Sequence, residues 1–245
     1  MEEFLTFAAV GFAAQLIDGI LGMGYGVSAT TFLLWVGIPP AVASASVHAA
    51  EIATTGMSGL SHVRFGNVDR LIVRRLIVPG VIGAVAGAWL LTSMSGEALR
   101  PWIAAYLFAM GIVMLFRAVR GRRRPKGEAH LVPLGLAGGF FDTVGGGGWG
   151  PIVAGSLMAR GDEPRYAIGS VHTAEFFVTA AASATFVATI GLSYWEAIAG
   201  LAAGGAVAAP VAAWAASRVP AKPLLVAVGL AVIALSLRTL WLSVR

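Results

Sequence analysis

The chain has 245 residues, of which 58% are hydrophobic and only 12% charged, and its mean hydropathy is +0.82. An ordinary soluble domain has about 25% charged residues, so this composition excludes a soluble globular protein and indicates a polytopic membrane protein. The chain contains no cysteine, which excludes disulfides, thiolate metal sites and cysteine nucleophiles.

Eight apolar runs follow one another along the chain. They lie at residues 4–37, 40–61, 71–93, 99–117, 131–159, 166–191, 194–217 and 223–242. A membrane-spanning helix needs about 20 apolar residues, and six of the runs are near that length. The runs 4–37 and 131–159 are longer. Each is divided into two arms by a glycine-rich segment, which we call an elbow, at residues 18–26 and 142–150.

The two elbows belong to an internal duplication. An offset of 124 residues superimposes Asp18 on Asp142 and Tyr25 on Trp149. The same offset pairs Gly22 with Gly146, Gly24 with Gly148, Gly26 with Gly150, His48 with His172, and Glu51 with Glu175. We therefore predict a first transmembrane repeat at residues 1–120 and a second at 131–245, joined by a basic loop at 121–130. We call these repeats the first and second halves.

Basic residues predict how the halves lie in the membrane. The strongest cluster consists of Arg117, Arg120, Arg122, Arg123, Arg124 and Lys126. Cytoplasmic loops are enriched in such residues, so we place the loop 121–130 in the cytoplasm and exclude nucleic acid as the reason for the net charge of +5.

The short second arms, residues 27–37 and 151–160, rise only about 16 Å, half of a ~30 Å hydrocarbon core. If each half contains a re-entrant hairpin, the other basic loops also lie in the cytoplasm, as the enrichment of cytoplasmic loops in basic residues requires. Each half then has one hairpin and three crossings. We predict an all-α polytopic membrane protein built from two inverted repeats. A kinked single crossing in each half, which gives eight spans, is the alternative.

The elbows are candidate anion sites. Glycine allows sharp turns and close approach of the backbone to a ligand, and a helix that starts there presents unpaired amides. Inverted-repeat transporters bind substrate near the midplane, so we expect the elbows to face each other across a central cavity. The candidate substrate-binding residues are Gly22, Gly24, Tyr25, Gly26, Gly146, Gly148, Trp149 and Gly150. Tight helix packing by the glycines, with the two aromatic residues as plugs, is the alternative.

The duplicated histidines and acids are further candidates. A spacing of three residues places His48 with Glu51, and His172 with Glu175, on one helix face. A carboxylate at mid-membrane costs about 2.5 to 3.5 kcal/mol, so these faces should point inward. Histidine titrates at about pH 6.5, which makes both histidines candidate substrate-binding residues and both glutamates candidate proton carriers. An interhelical clamp is the alternative.

The acids Asp18 and Asp142 precede the elbows. Each is a candidate for proton coupling, although a short carboxylate beside exposed amides also serves as a cap for those amides.

With these motifs the sequence resembles the sulfite exporter TauE/SafE family, within the toluene sulfonate uptake permease group. The resemblance rests on the runs 11–26 and 138–151 and on the duplication. It implies a proton-coupled secondary transporter of the bacterial inner membrane that moves sulfite, sulfoacetate or a related organosulfonate. It maps the six elbow glycines onto the family signature. The roles of the histidines and glutamates rest on spacing alone.

The leading alternative is a divalent-cation carrier, because two His-x-x-Glu pairs and two aspartates form a plausible ligand set. A membrane enzyme is a weaker hypothesis, since no nucleophile elbow is evident. We predict no enzyme activity, no cofactor and no resident metal. The expected partners are the sulfur anion and membrane lipids, and the sequence leaves a homo-oligomer open.

Overall fold

The computed structural model describes residues 2–119, 130–160, 162–215 and 221–244, and the regular structure of these residues is entirely helical. The helices are α1 (Glu2–Leu21), α2 (Tyr25–Trp35), α3 (Pro40–Arg64), α4 (Arg70–Ser93), α5 (Gly96–Val119), α6 (Leu131–Gly145), α7 (Gly155–Arg160), α8 (Pro164–Thr189), α9 (Trp195–Ala215) and α10 (Ala221–Val244). A π-helical turn, Gly150–Ala154, precedes α7. Six described helices are long and apolar enough to cross a membrane. The predicted all-α polytopic class is confirmed, while the predicted loop 121–130 lies outside the described residues except for His130.

Local sequence explains several helix boundaries. Proline occupies the first turn of α3 and of α8, where its missing N–H costs no hydrogen bond. The Asp69 side chain caps α4 by accepting the backbone N–H of Leu71 at 2.8 Å. Gly146 ends α6 in the left-handed conformation, with φ of 67°, which glycine adopts without strain.

The arms of the first elbow, α1 and α2, begin and end at the same end of the helix bundle. Gly11 packs on Leu201 and Gly19 on Ala212, so α1 runs parallel to α9. The returning arm α2 ends beside the start of α5, where Arg100 donates a hydrogen bond to the Leu34 carbonyl at 2.9 Å. These contacts are those of a hairpin.

The second elbow makes a matching hairpin. Gly135 packs on Leu76 and Gly139 on the Gly80 carbonyl, so α6 runs parallel to α4. The returning arm packs against α6 and leads into α8, whose first turns lie against the loop between α3 and α4. There the Ser170 hydroxyl accepts the backbone N–H of Asp69 at 2.7 Å.

The hairpins open at opposite ends of the bundle, because α4 runs from the end where the second hairpin opens to the end where the first one opens. Helix pairs are also exchanged between the halves: α1 packs on α9 and α6 on α4, while α5 packs on α10 and α3 on α8. Inverted repeats predict such a pattern. The orientation of the halves in the membrane stays a prediction.

The elbows do lie against each other, but not across an open cavity. A methyl group on Gly26 would lie 2.8 Å from the Cα of Gly147, and one on Gly150 would lie 2.7 Å from the Cα of Met23. The Thr30 hydroxyl donates to the Gly146 carbonyl. In this conformation the elbows therefore form a direct backbone contact.

Both elbows lie against α5. The second elbow packs on Tyr106, near the middle of α5, whereas Gly24 of the first elbow lies against Met114, nearer the end of that helix.

The contact between the elbows predicts that Gly147→Ala destabilises the protein. The added methyl group would overlap the backbone of Gly26 and Val27, which cannot move aside as a flexible side chain can. We expect a loss of about 1–3 kcal/mol, measured by thermal unfolding in detergent. Gly96→Ala is the matched control, because its methyl group would meet only Pro40, at an ordinary 3.5 Å. Equal stability of the two variants would contradict the close contact.

Candidate functional site

The histidine of each half faces the elbow aspartate of the other half. His48 Nε2 on α3 lies 3.2 Å from Asp142 Oδ2 on α6. His172 Nε2 on α8 lies 3.4 Å from Asp18 Oδ2 on α1. All four residues are buried. We call these two contacts the crossed pairs, since each joins one half to the other.

Asp142 also satisfies the amides of its own elbow. Its Oδ1 accepts the backbone N–H of Gly148 at 2.7 Å and that of Trp149 at 2.9 Å. This is the contact that the capping hypothesis predicts. The repeat counterpart of Asp142, Asp18, is buried as well. Asp142 therefore bridges the amides of its own elbow and the histidine of the opposite half.

The first crossed pair holds one shared proton. His48 Nδ1 lies 2.8 Å from the Ser44 carbonyl, and a carbonyl only accepts, so Nδ1 carries a proton. A contact between Nε2 and Asp142 then needs one more proton. That proton lies either on the imidazole, which gives an ion pair, or on the carboxyl group, which gives a neutral pair.

Both glutamates of the predicted pairs are buried beside this centre. Glu51 Oε1 lies within 3.1 Å of the position that a methyl group on Gly26 would take, so it reaches the first elbow. Its Oε2 has no hydrogen-bond partner among the described residues. Glu175, on the same helix as His172, is buried as well. Their roles as proton carriers stay predictions.

The aromatic residues Tyr25 and Trp149 are buried in the packed protein. The Tyr25 hydroxyl donates to the Leu201 carbonyl at 3.1 Å, and the Trp149 indole N–H donates to the Val171 carbonyl at 3.1 Å. Each ring packs on a glycine of the opposite half, Tyr25 on Gly205 and Trp149 on Gly80. In this conformation both rings are packed in the interior, and their roles as substrate-binding residues or as plugs stay predictions.

The structure adds residues that the duplication pattern does not identify. Gly147 makes the closest approach between the elbows. Its counterpart in the first half is Met23, so the duplication does not mark Gly147 as a paired glycine. Tyr106 of α5 donates to the Gly147 carbonyl at 3.1 Å. Arg117, expected in the basic loop, instead belongs to α5 and donates to the Pro151 carbonyl at 2.8 Å. Burial of a guanidinium against an elbow leaves no signal in local sequence.

One set of side chains also has the geometry of a cation site. Ligand atoms of His48, Glu51 and Asp142 lie within 4.8 Å of one another, and among the described residues no other trio of histidine and acidic groups does so. The other ligands of the predicted set, Asp18, His172 and Glu175, are not brought together in this way. The centre thus has the chemistry to hold either a proton or a cation.

The crossed pairs predict energetic coupling between the halves. In a double-mutant cycle of thermal stability, His48→Gln and Asp142→Asn should be non-additive by about 0.5–3 kcal/mol, because each removes the same contact. The control cycle pairs Glu196→Gln, at an exposed residue at the start of α9, with Asp142→Asn, and these should be additive within about 0.5 kcal/mol. Equal coupling in both cycles would contradict the crossed pairing.

Comparison with known proteins identifies the family. A family model described as Sulfite exporter TauE/SafE matches residues 7–239. The "Probable membrane transporter protein YtnM" of Bacillus subtilis (strain 168) is 42% identical over 250 residues, which cover 98% of this chain and 83% of that relative. No solved structure matches the chain. The family match over nearly the whole chain, together with six helices long enough to cross a bilayer, shows that this protein is a multi-pass membrane transporter of the sulfite exporter TauE/SafE family.

Proposed function

We propose that the protein is a proton-coupled secondary transporter of a small sulfur-containing anion, such as sulfite, sulfoacetate or a related organosulfonate. It acts in the bacterial inner membrane by alternating access of two inverted repeats. The description of the matching family, which names sulfite export, supports the substrate class. The chemistry of the central contacts supports the mechanism.

The crossed pairs are the observation that carries this proposal. Each pair joins an elbow hairpin of one half to a helix of the other half, so movement of a hairpin relative to its opposite helix must break a pair. Separation of a buried ion pair is costly, since it leaves charges unpaired in the membrane interior. Protonation of the aspartate removes one of these charges. The proton state of the pair therefore controls which conformation is favoured.

The elbow amides supply the anion site. In the closed conformation, Asp142 Oδ1 occupies the N–H groups of Gly148 and Trp149. A sulfonate or sulfite oxygen accepts the same kind of hydrogen bond as a carboxylate oxygen. When Asp142 takes up a proton its oxygens become weaker acceptors, and the substrate competes for these amides. Proton uptake and anion binding are then linked at one pair of N–H groups.

A flux measurement tests the transport proposal. Purified protein in liposomes should accumulate radiolabelled sulfoacetate when a pH gradient is imposed, and collapse of the gradient should stop accumulation. Asp142→Asn should abolish gradient-driven accumulation, because the amide cannot exchange a proton at this position. Glu196→Gln is the control, since Glu196 is exposed at the start of α9 and should leave flux unchanged. If neither sulfoacetate nor sulfite moves through the wild-type protein under any gradient, the proposal is wrong.

A divalent-cation carrier is the second candidate, and the group His48, Glu51 and Asp142 favours it. The two candidates differ in what stabilises the folded protein, because a ligand that binds the folded state raises its apparent stability. We expect sulfite or sulfoacetate to raise the midpoint of thermal unfolding, and more so at pH 5.5 than at pH 7.5.

The same thermal unfolding measurement is made with Ni²⁺, Co²⁺ and Mg²⁺ as chloride salts. Stabilisation by these metals alone, lost in Glu51→Gln, would replace the anion by a cation as the cargo.

A further inference from the structure

The two crossed pairs have different neighbours, although the duplication relates them. At the 124-residue offset, the counterpart of His62 is Phe186. The structure places these counterparts in corresponding positions. The His62 ring lies 5.9 Å from the His172 ring, and the Phe186 ring lies 6.0 Å from the His48 ring. A histidine can carry a proton and a phenylalanine cannot, so only His172 has a proton carrier beside it in this position.

The Nδ1 atoms of His48 and His172 also differ in whether their nearest neighbour can pass on a proton. His48 Nδ1 lies 2.8 Å from the Ser44 carbonyl, which cannot give a proton. The Ser44 hydroxyl is farther from Nδ1, at 3.3 Å, and it donates its own proton to the Thr143 carbonyl at 2.6 Å. His172 Nδ1 lies 2.7 Å from the hydroxyl of Ser58 on α3, and a hydroxyl both gives and accepts protons. Ser58 precedes His62 by four residues, so both side chains lie on one face of α3.

His62 lies at the end of the bundle. It is in the last turn of α3, and its carbonyl accepts the backbone N–H of Asn67 in the loop to α4. The side chain is half-buried, and Nδ1 is buried with no hydrogen-bond partner among the described residues. Arg64 and Arg70 flank this loop, which the sequence predicts to be cytoplasmic. His62 therefore connects the surface of one end to the interior.

We propose that His62, Ser58 and His172 form a proton relay that connects Asp18 to one side of the membrane only. This inference rests on the proposed proton coupling and assigns its entry path. The hydrogen bond between Ser58 and His172 Nδ1 is already made, while His62 Nδ1 and His172 Nε2 have no hydrogen-bond partner among the described residues and must rotate to make the outer two contacts. His62 then gives a proton to the Ser58 hydroxyl one helical turn away, which passes its own proton to His172 Nδ1. His172 gives the proton on Nε2 to Asp18, 3.4 Å away. His62 loses one proton and Asp18 gains one. Ser58 and His172 end with as many protons as they had, and the reverse sequence restores the imidazole tautomer.

Other titratable groups lie near the relay. Asp18 on α1 and His62 on α3 face His172, and Glu175 follows it on α8. Glu51 on α3 and Asp142 on α6 lie close enough to Asp18 to interact with it electrostatically. The histidine ring that lies against His62 is that of His172. Beside His48, the ring is that of Phe186 and the nearby Ser44 hydroxyl donates to the Thr143 carbonyl, so Asp142 lacks this path. The structural asymmetry gives the two aspartates different access to protons.

Infrared spectroscopy tests the relay without any transported substrate. Full-length protein in lipid nanodiscs is mixed rapidly with D2O, and the C=O stretch of protonated carboxyl groups is followed as hydrogen is replaced by deuterium. The component that Asp18→Asn removes reports Asp18. His62→Phe, which installs the counterpart residue, and Ser58→Ala should each slow this exchange by at least about tenfold.

Phe186→Leu is the matched control and should leave the Asp18 exchange rate unchanged, because it alters the ring at the corresponding place in the other half. Wild-type exchange rates in both relay variants would overturn the proposal, as would the absence of an Asp18 component at every pH. Folding of each variant is checked by its thermal unfolding midpoint. Failure of sulfoacetate flux alone would overturn the transport proposal and leave the infrared result to decide the relay.

Discussion

Two aspartates buried at the ends of α1 and α6 are the groups on which the centre of the protein depends. A carboxyl group inside a membrane protein is stable only when hydrogen bonds or an opposite charge compensate the lost water. Asp142 meets this requirement with two elbow amides and with His48 of the other half. The requirement explains why a sharp glycine turn follows the aspartate, and why the histidine that completes the site comes from the opposite half.

The glycines then allow the halves to meet. Backbone contact at Gly26 and Gly147 brings the elbows together, and Gly80 and Gly205 make room for the aromatic plugs. These contacts join elements of different halves, so the elbows and crossed pairs form one contiguous unit. In the proposed mechanism this unit opens and closes as a whole, since access to the two sides must alternate, and the proton on each pair controls the change.

Much of the fold was predictable from sequence, because hydropathy and duplication report helices and repeats directly. The elbows at residues 18–26 and 142–150 lie between the helices that the glycine pattern predicts. The spacing of His48 and Glu51 placed both on one face of α3, but it did not reveal that Asp142 is the histidine's partner. Contacts across the halves depend on how hairpins pack, which sequence periodicity does not encode. For the same reason, sequence does not reveal that Arg117 donates a hydrogen bond to the Pro151 carbonyl.

The most direct test of this account asks whether the elbows separate during transport. The chain has no cysteine, so Thr30→Cys places a single thiol at the contact with Gly146. Leu33→Cys, buried in the same helix, is the control. In liposomes, the account predicts that a membrane-impermeant maleimide labels Cys at position 30 faster when sulfoacetate and a pH gradient are present, and leaves position 33 unlabelled. Labelling of position 30 that is as slow as that of position 33 under all conditions would contradict the account.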